Sequence, residues 1–417
     1  MSQTRSRRVW RPLRTFLATE SAGGIALVGA AIGALVWANS PWAAGYRRLW
    51  STDLSVQLGT VGFGLDLRHW VNEGLMTIFF LVAGLEIKRE VVQGELRDLR
   101  QAALPVAAAV GGMVIPALVY VGVTAGSGTD GWAVPMATDI AMVLGALALI
   151  RTRVHPMLPL MMLALAIVDD IGSIIVLAVG LGEGIRGWWI LLAIGAFAAA
   201  ATTRLVGIRN VGAYALCGVV CWFGLSQAGV PATLAGVAFG LLATTTPLID
   251  EVDQAELTDL SSASAARRTE HLARHSVSVV ERLEHALHPW ASFGVVPLFA
   301  LANAGIPLGG VAGELGHSRV FWGVTAARVI GKPVGIVVGA ALAVRSGVAR
   351  LPEGVSWRDM WGLGAFAGMG FAVAIFIASR SLGPTAEIHA TLGVFTALVL
   401  SAALGYTLLL TGRRPRQ

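Results

Sequence analysis

HPMLPLMMLALAIVDDIGSIIVLAVGLG, residues 155–182, decides how the rest of the chain is read. Between 157 and 181 its charges are one adjacent pair, Asp169–Asp170. Eighteen or more apolar residues in a row are long enough to cross a hydrocarbon layer of about 30 Å as a helix, so 157–181 reads as a membrane span. Mostly apolar residues flank the pair on both sides, which places it near mid-membrane. The alternative, a pair at a helix end by the surface, needs a short flank, and neither flank is short. An ionisable residue within a span is costly and marks function.

Comparable stretches recur along the whole sequence, at about 20–39, 70–87, 101–124, 132–150, 157–181, 187–203, 211–226, 231–248, 286–308, 320–343, 360–379 and 386–411. The composition agrees: 55% of the 417 residues are hydrophobic and 13% charged, against about 25% charged in soluble proteins. So few charges cannot coat the several globular domains this length would allow. The expected fold class is an all-α polytopic membrane protein with twelve transmembrane helices, and a soluble enzyme is excluded. The net charge of +6 does not call for nucleic acid, because the basic residues lie in short segments between apolar runs, where they encode topology.

Orientation follows from those segments. With the N-terminus placed in the cytoplasm, 23 of the 31 Lys and Arg fall in cytoplasmic segments and 6 in outer ones, and two, Arg328 and Lys332, fall inside a span. Both termini are therefore expected in the cytoplasm. The basic leader MSQTRSRRVWRPLR has no small-residue cleavage site after it and reads as a retained tail, residues 1–17. Residues 18–411 read as one transmembrane domain and 412–417 as a cytoplasmic tail. Within 45–68, STDLSVQLGTVGFGLDL around Gly59 alternates in part and suggests an extracytoplasmic β-hairpin, with a plain loop as the alternative. The longest polar stretch, 250–285, reads as a cytoplasmic loop whose second part, with His271 and His275, can form a short surface helix. Cys217 and Cys221 lie four apart in one apolar run with no further metal ligands nearby, and read as ordinary small membrane side chains.

Four more features bear on the aspartate pair. Adjacent helical positions diverge by about 100°, so one carboxylate can face a water-filled cavity while the other meets a neighbouring helix. VPMATDIAMVLGALALI, 134–150, holds Pro135, Thr138 and Asp139. Pro135 lacks a backbone donor, and Thr138 and Asp139 can bond locally to the backbone, so the span about 132–150 reads as discontinuous, its irregular backbone lining a cavity. A kinked helix with a satisfied Asp139 is the plainer alternative. RVIGKPVGIVVGA, from 328, sets Lys332 deep in a span. A lone ammonium there must pair or lose its proton, and its candidate partners are Asp139, Asp169 and Asp170; snorkelling to an interface is the alternative. Arg328, one turn earlier and nearer the outer end, can snorkel; a purely structural role is the alternative. Finally GLGAFAGMGFAVAIFIA, with Gly362, Gly364, Gly368 and Gly370, permits a second break at about 360–379, although tight packing alone would also explain the glycines. Corresponding breaks in two sets of spans point to inverted-topology repeats with an ion site between them.

Near the cytoplasmic ends, VAGLEIKREVVQGELRDLR carries Glu86, Arg89 and Glu90, and ERLEHALHPW carries Glu284, His285 and His288. Histidines titrate near physiological pH and neighbouring carboxylates shift them, which suits a pH-responsive gate; a solvated charged face is the alternative.

Together these strings resemble the NhaA-type sodium/proton antiporters, bacterial inner-membrane proteins. The resemblance rests on NEGLMTIFFLVAGLEIKRE, LRQAALPVAAAVGGMVIPALVY, PMATDIAMVLGALAL, LMMLALAIVDDIGSIIVLA, ATLAGV, RLEHALHPW, PLFALANAG, IGKPVGI and GMGFAVAIFIAS, in order between 72 and 379. That family is itself a reference case for inverted repeats, so the repeat reading is not independent of the resemblance. The resemblance implies a homodimer in the bacterial cytoplasmic membrane, joined largely by the hairpin 45–68, that moves one Na⁺ or Li⁺ outward for two protons inward. It implies Asp169 and Asp170 as the ion-binding pair, with Asp170 the more direct cation ligand, and Asp139, Thr138 and Lys332 beside them. It implies a pH-sensing region over Glu86, Arg89, Glu90, Glu284, His285 and His288. No cofactor and no nucleic acid are expected; membrane lipid, anionic lipid among it, is an expected partner. One departure stands out: the family often has a histidine in GVHATLAG where this chain reads GVPATLAG, with Pro231, which bears on the threshold or steepness of the pH response. The alternative function is a cation channel or an organic-ion, proton-coupled transporter on the same fold. Three carboxylates against Lys332 disfavour an organic-anion carrier.

Overall fold

The apolar stretches are helical, and their ends are set by caps and breaks that hydropathy alone does not show. The structure, a computed structural model, describes residues 22–58, 61–126, 128–150, 153–180, 186–206, 211–245, 278–309 and 311–411. The expected tails 1–17 and 412–417, and the loop 250–285 as far as 277, with His271 and His275, lie outside the described residues.

In chain order the helices are α1 (Ala22–Ala38), α2 (Ala43–Trp50), α3 (Met76–Gln93), α4 (Leu99–Thr124), α5 (Ile140–Leu149), α6 (Met157–Gly180), α7 (Gly187–Leu205), α8 (Val211–Ala228), α9 (Leu234–Leu242), α10 (Val279–Trp290), α11 (Val296–Asn303), α12 (Arg319–Arg345), α13 (Trp357–Ala367), α14 (Ala372–Ser381) and α15 (Pro384–Leu410). Strands β1 (Asp53–Leu58) and β2 (Val61–Asp66) pair antiparallel in the register Asp53↔Asp66 to Leu58↔Val61. The open end of this hairpin is fastened twice: Leu67 N–H donates to Thr52 O at 3.0 Å, and Trp70 Nε1 donates to Leu54 O at 3.0 Å.

Each of the twelve stretches expected to be helical contains helix. Five described helices are long and apolar enough to span a membrane, or seven when each bent pair is one span. Two stretches are shorter than expected: 231–248 retains the nine residues of α9, and 132–150 the ten of α5. Pro231 and a turn through Ala232 and Thr233 delay the start of α9. The stretch 286–308 instead starts early, at Val279, because Ser278 caps α10 by accepting the Glu281 N–H; a π-helical turn, Ala291–Val295, separates it from α11. Such single widened turns inside helices often sit at functional places, and further ones occupy Trp70–Leu75 and Ala327–Gly331.

The chain forms two compact units. The first comprises the described parts of Met1–Leu75, Asp98–Gly182 and Ser292–Gln417. Its tightest seam joins α4 to α12 through small residues: a Cβ on Gly111 would lie 2.1 Å from Gly335 O, and one on Gly339 2.1 Å from Ala107 O. Such backbone-to-backbone approach is how membrane helices gain packing without a hydrophobic driving force. The second unit comprises Met76–Arg97 and the described parts of Glu183–Ala291. It repeats the device between α3 and α9, where Gly236 faces Thr77 O and Gly240 faces Leu81 O. Large apolar side chains point outward, among them Leu118 at 65% exposure and Leu216 at 66%. On a molecule in water so many would be a liability; facing lipid they are ordinary.

Candidate ion-binding site

The first unit gathers the charges that the sequence places inside spans. α5 does not reach back to Pro135. A 3-10 turn at Thr129–Ala133 leads into an irregular stretch, and α5 begins only where Asp139 caps it, accepting the Met142 N–H at 3.3 Å. α13 ends at Ala367 and α14 resumes at Ala372, bent by 54° across the interruption 368–371. The two interruptions are tied directly, Asp139 N–H donating to Met369 O at 3.0 Å. Both expected discontinuities are thus present in the backbone.

α6 and α12 bring the ionisable groups to this place. Asp169 is 0% exposed, and so is Lys332, whose Nζ lies 2.6 Å from Asp169 Oδ2. Of the three candidate partners, the lysine's ion pair is with Asp169; its ammonium also donates to Met136 O in the first interruption. The Thr138 hydroxyl stands 2.7 Å from Asp169 Oδ2 and 3.0 Å from Ala367 O. Having one proton, it serves one of them at a time. The expectation that Thr138 bonds locally is corrected: the break turns its side chain to the second interruption and to α6. Asp169 Oδ1 is buried without a hydrogen bond. Asp170, a residue further round the helix, is half-buried. The pair therefore divides as helix geometry demands, one carboxylate sealed against Lys332 and the other on a more open face. Among the described residues, no three or more His, Cys, Asp or Glu are placed to hold a metal ion.

Of the two readings of Arg328, snorkelling is the one the structure overturns. The residue is 0% exposed and donates to Val134 O, Ala137 O and Gly368 O. The available signal was that two broken helices leave carbonyls in need of a donor, with an arginine one turn from Lys332.

The second cluster lies in the second unit, where α3 packs on α10. Arg89 Nη1 meets Glu284 Oε1 at 2.5 Å, and His288 Nε2 lies 3.9 Å from Glu86 Oε1. Glu90 and Glu284 are buried, and His285 is exposed. Burial pushes the Glu284 carboxyl above the usual carboxylate range, against the opposing pull of Arg89 and His288.

A many-helix membrane protein with a buried charge pair at two interrupted helices has the architecture of secondary transporters. The sequence comparisons give the family. The family model described as Na⁺/H⁺ antiporter 1 matches residues 14–409. Na(+)/H(+) antiporter NhaA 2 of Sorangium cellulosum is 44% identical over 96% of this chain and 90% of its own. Na(+)/H(+) antiporter NhaA of Rhodopirellula baltica and that of Rhizobium meliloti are each 41% identical over 96% of this chain and 94% of theirs. The chain belongs to the NhaA-type Na⁺/H⁺ antiporter family.

Proposed function

We propose that this protein is an electrogenic, pH-activated antiporter that exports one Na⁺ or Li⁺ for two inward-moving protons, serving sodium and pH homeostasis. The observation that carries the reading is the fully buried Lys332–Asp169 pair beside Asp170 at two interrupted helices. The stoichiometry comes from the family likeness.

At high internal pH the Asp169–Asp170 site is deprotonated and accepts Na⁺ through carboxylate oxygens, which suit a hard cation. A cation at Asp170 and Asp169 Oδ1 weakens the hold of Asp169 on Lys332, whose ammonium can then give up its proton. On the outer side protons displace the cation, and Lys332 closes on Asp169 again. Asp139 and Thr138 steady the interrupted ends throughout. Exchanging two protons for one Na⁺ moves one net charge, so each 100 mV of membrane potential contributes about 2.3 kcal/mol per cycle.

The wider reading is a multi-pass protein of the bacterial cytoplasmic membrane with twelve spans arranged as inverted repeats and both termini in the cytoplasm. Residues 18–411 form its transport domain, the hairpin within 45–68 joins a homodimer on the outer side, and lipid surrounds it. Glu86, Arg89, Glu90, Glu284, His285 and His288 set its response to pH. The Arg89–Glu284 contact and the burial of Glu284 support their role.

The test is proton flux in proteoliposomes of purified protein on addition of Na⁺, Li⁺ or K⁺. Na⁺-dependent proton movement that disappears in Asp170→Asn and in Asp169→Asn, with both variants folded, is the expected result. Full activity in either variant would remove that aspartate from the site. Cation conduction without proton movement would make the protein a channel.

A further inference from the structure

An interrupted helix leaves peptide carbonyls without their helical donors, and within a membrane each must be satisfied by protein. Three such carbonyls converge on one side chain. Arg328 Nη1 donates to Gly368 O at 3.1 Å, and Nη2 donates to Val134 O at 2.9 Å and Ala137 O at 3.0 Å. Val134 and Ala137 precede α5, whereas Gly368 opens the interruption between α13 and α14. The two arms of one guanidinium therefore grip different broken helices. Gly370 keeps the space open: a Cβ there would lie 2.2 Å from Arg328 Nη1 and 2.6 Å from Ala137 O.

We propose that Arg328 is a positioning residue that locks the two interruptions into one body and withholds their carbonyls from the transported cation, so that Na⁺ and protons compete only at the carboxylates. This rests on the antiport reading. Backbone carbonyl oxygens are good ligands for hard cations, and two of these three belong to the interruption whose Thr138 hydroxyl reaches Asp169. With Arg328 in place all three are occupied by its guanidinium N–H donors. The Lys332–Asp169 pair can then gain and lose protons while the frame around it stays fixed. A lysine at 328 would keep the charge but, as a point donor, would not span both interruptions. The charged groups around the guanidinium are Asp139, Asp169 and Lys332.

The test compares wild type, Arg328→Gln and Arg328→Lys in proteoliposomes, measuring the half-saturating Na⁺ and Li⁺ concentrations, the maximal rate and the pH profile. Arg328→Gln should change the half-saturating Na⁺ concentration or the Na⁺/Li⁺ preference at least tenfold. It should also move the pH profile to higher pH, since a positive charge near Asp139 and Asp169 is gone. Arg328→Lys should restore the pH profile without restoring the cation preference. Unchanged half-saturation and pH profile in Arg328→Gln, even with lowered thermal stability, would reduce Arg328 to packing and overturn the proposal. Should that variant fail to fold, amide hydrogen exchange in the wild type decides: the Asp139 amide and those of 368–371 should open at one common rate, and independent rates would overturn the lock. Absence of any cation-driven proton movement in the wild type would sink the antiport reading instead, and the exchange rates would still judge the lock.

Discussion

At the scale of residues, the site is a contest between burial and pairing. Asp169 and Lys332 are both fully buried, and removing one partner of such a pair typically costs about 3–5 kcal/mol because the other charge is stranded. Lys332→Ala should therefore lower the melting temperature clearly and alter the pH dependence of transport; a variant matching wild type in both would contradict a coupling role. Glu284 gives a prediction with a definite sign. Its carboxyl is held above the usual range by burial, so the folded protein keeps a proton that the unfolded chain has released. That contribution to stability is complete below the ordinary carboxylate pKa and is lost as pH rises through the raised folded value. Glu284→Gln never loses its proton, so its melting temperature should gain on wild type as pH increases across that window; parallel curves would refute this. Much of the site was legible in sequence, because Asp139, Asp169, Asp170 and Lys332 stand out wherever their neighbours are apolar. What pairs with what was not. Choosing Asp169 for Lys332, and sending Thr138 to Asp169 and Ala367, depends on how α6, α12 and the interruptions meet, which no local pattern encodes.

Among the elements, the glycine seam between α4 and α12 makes the sharpest prediction. A Cβ on residue 335 would sit 2.2 Å from Gly111 O and 2.7 Å from Gly111 C, both backbone atoms, whereas nothing lies within 4 Å of a Cβ on Gly33. Alanine gains roughly 1 kcal/mol of helix propensity over glycine at either place, while overpacking costs about 1–3 kcal/mol. Gly335→Ala should therefore melt several degrees below Gly33→Ala; equal melting temperatures would show that the seam can spread. Sequence reading located the helices by their apolar runs but mistook several ends. α10 starts at Val279 because Ser278 caps it, and α9 starts late after Pro231: hydropathy averages over such single residues. The discontinuity at 368–371 was readable only as a surplus of glycine, which tight packing would equally have explained, and Gly364 against Pro333 shows that packing is indeed part of its use.

For the whole molecule, the decisive quantity is charge moved per cycle. If two protons exchange for one Na⁺, an inside-negative potential imposed with a potassium ionophore should speed exchange driven by a proton gradient of the same size, and a current should accompany transport. Exchange indifferent to voltage would mean one proton per cation. One feature of composition makes such motion measurable. The chain's two cysteines, Cys217 and Cys221, both lie on α8 in the second unit, so the unit holding Asp169 and Lys332 contains no thiol. A single cysteine placed there can be read by an alkylating reagent or a spin label in the otherwise native protein, with the α8 thiols serving as the internal standard in the same tube.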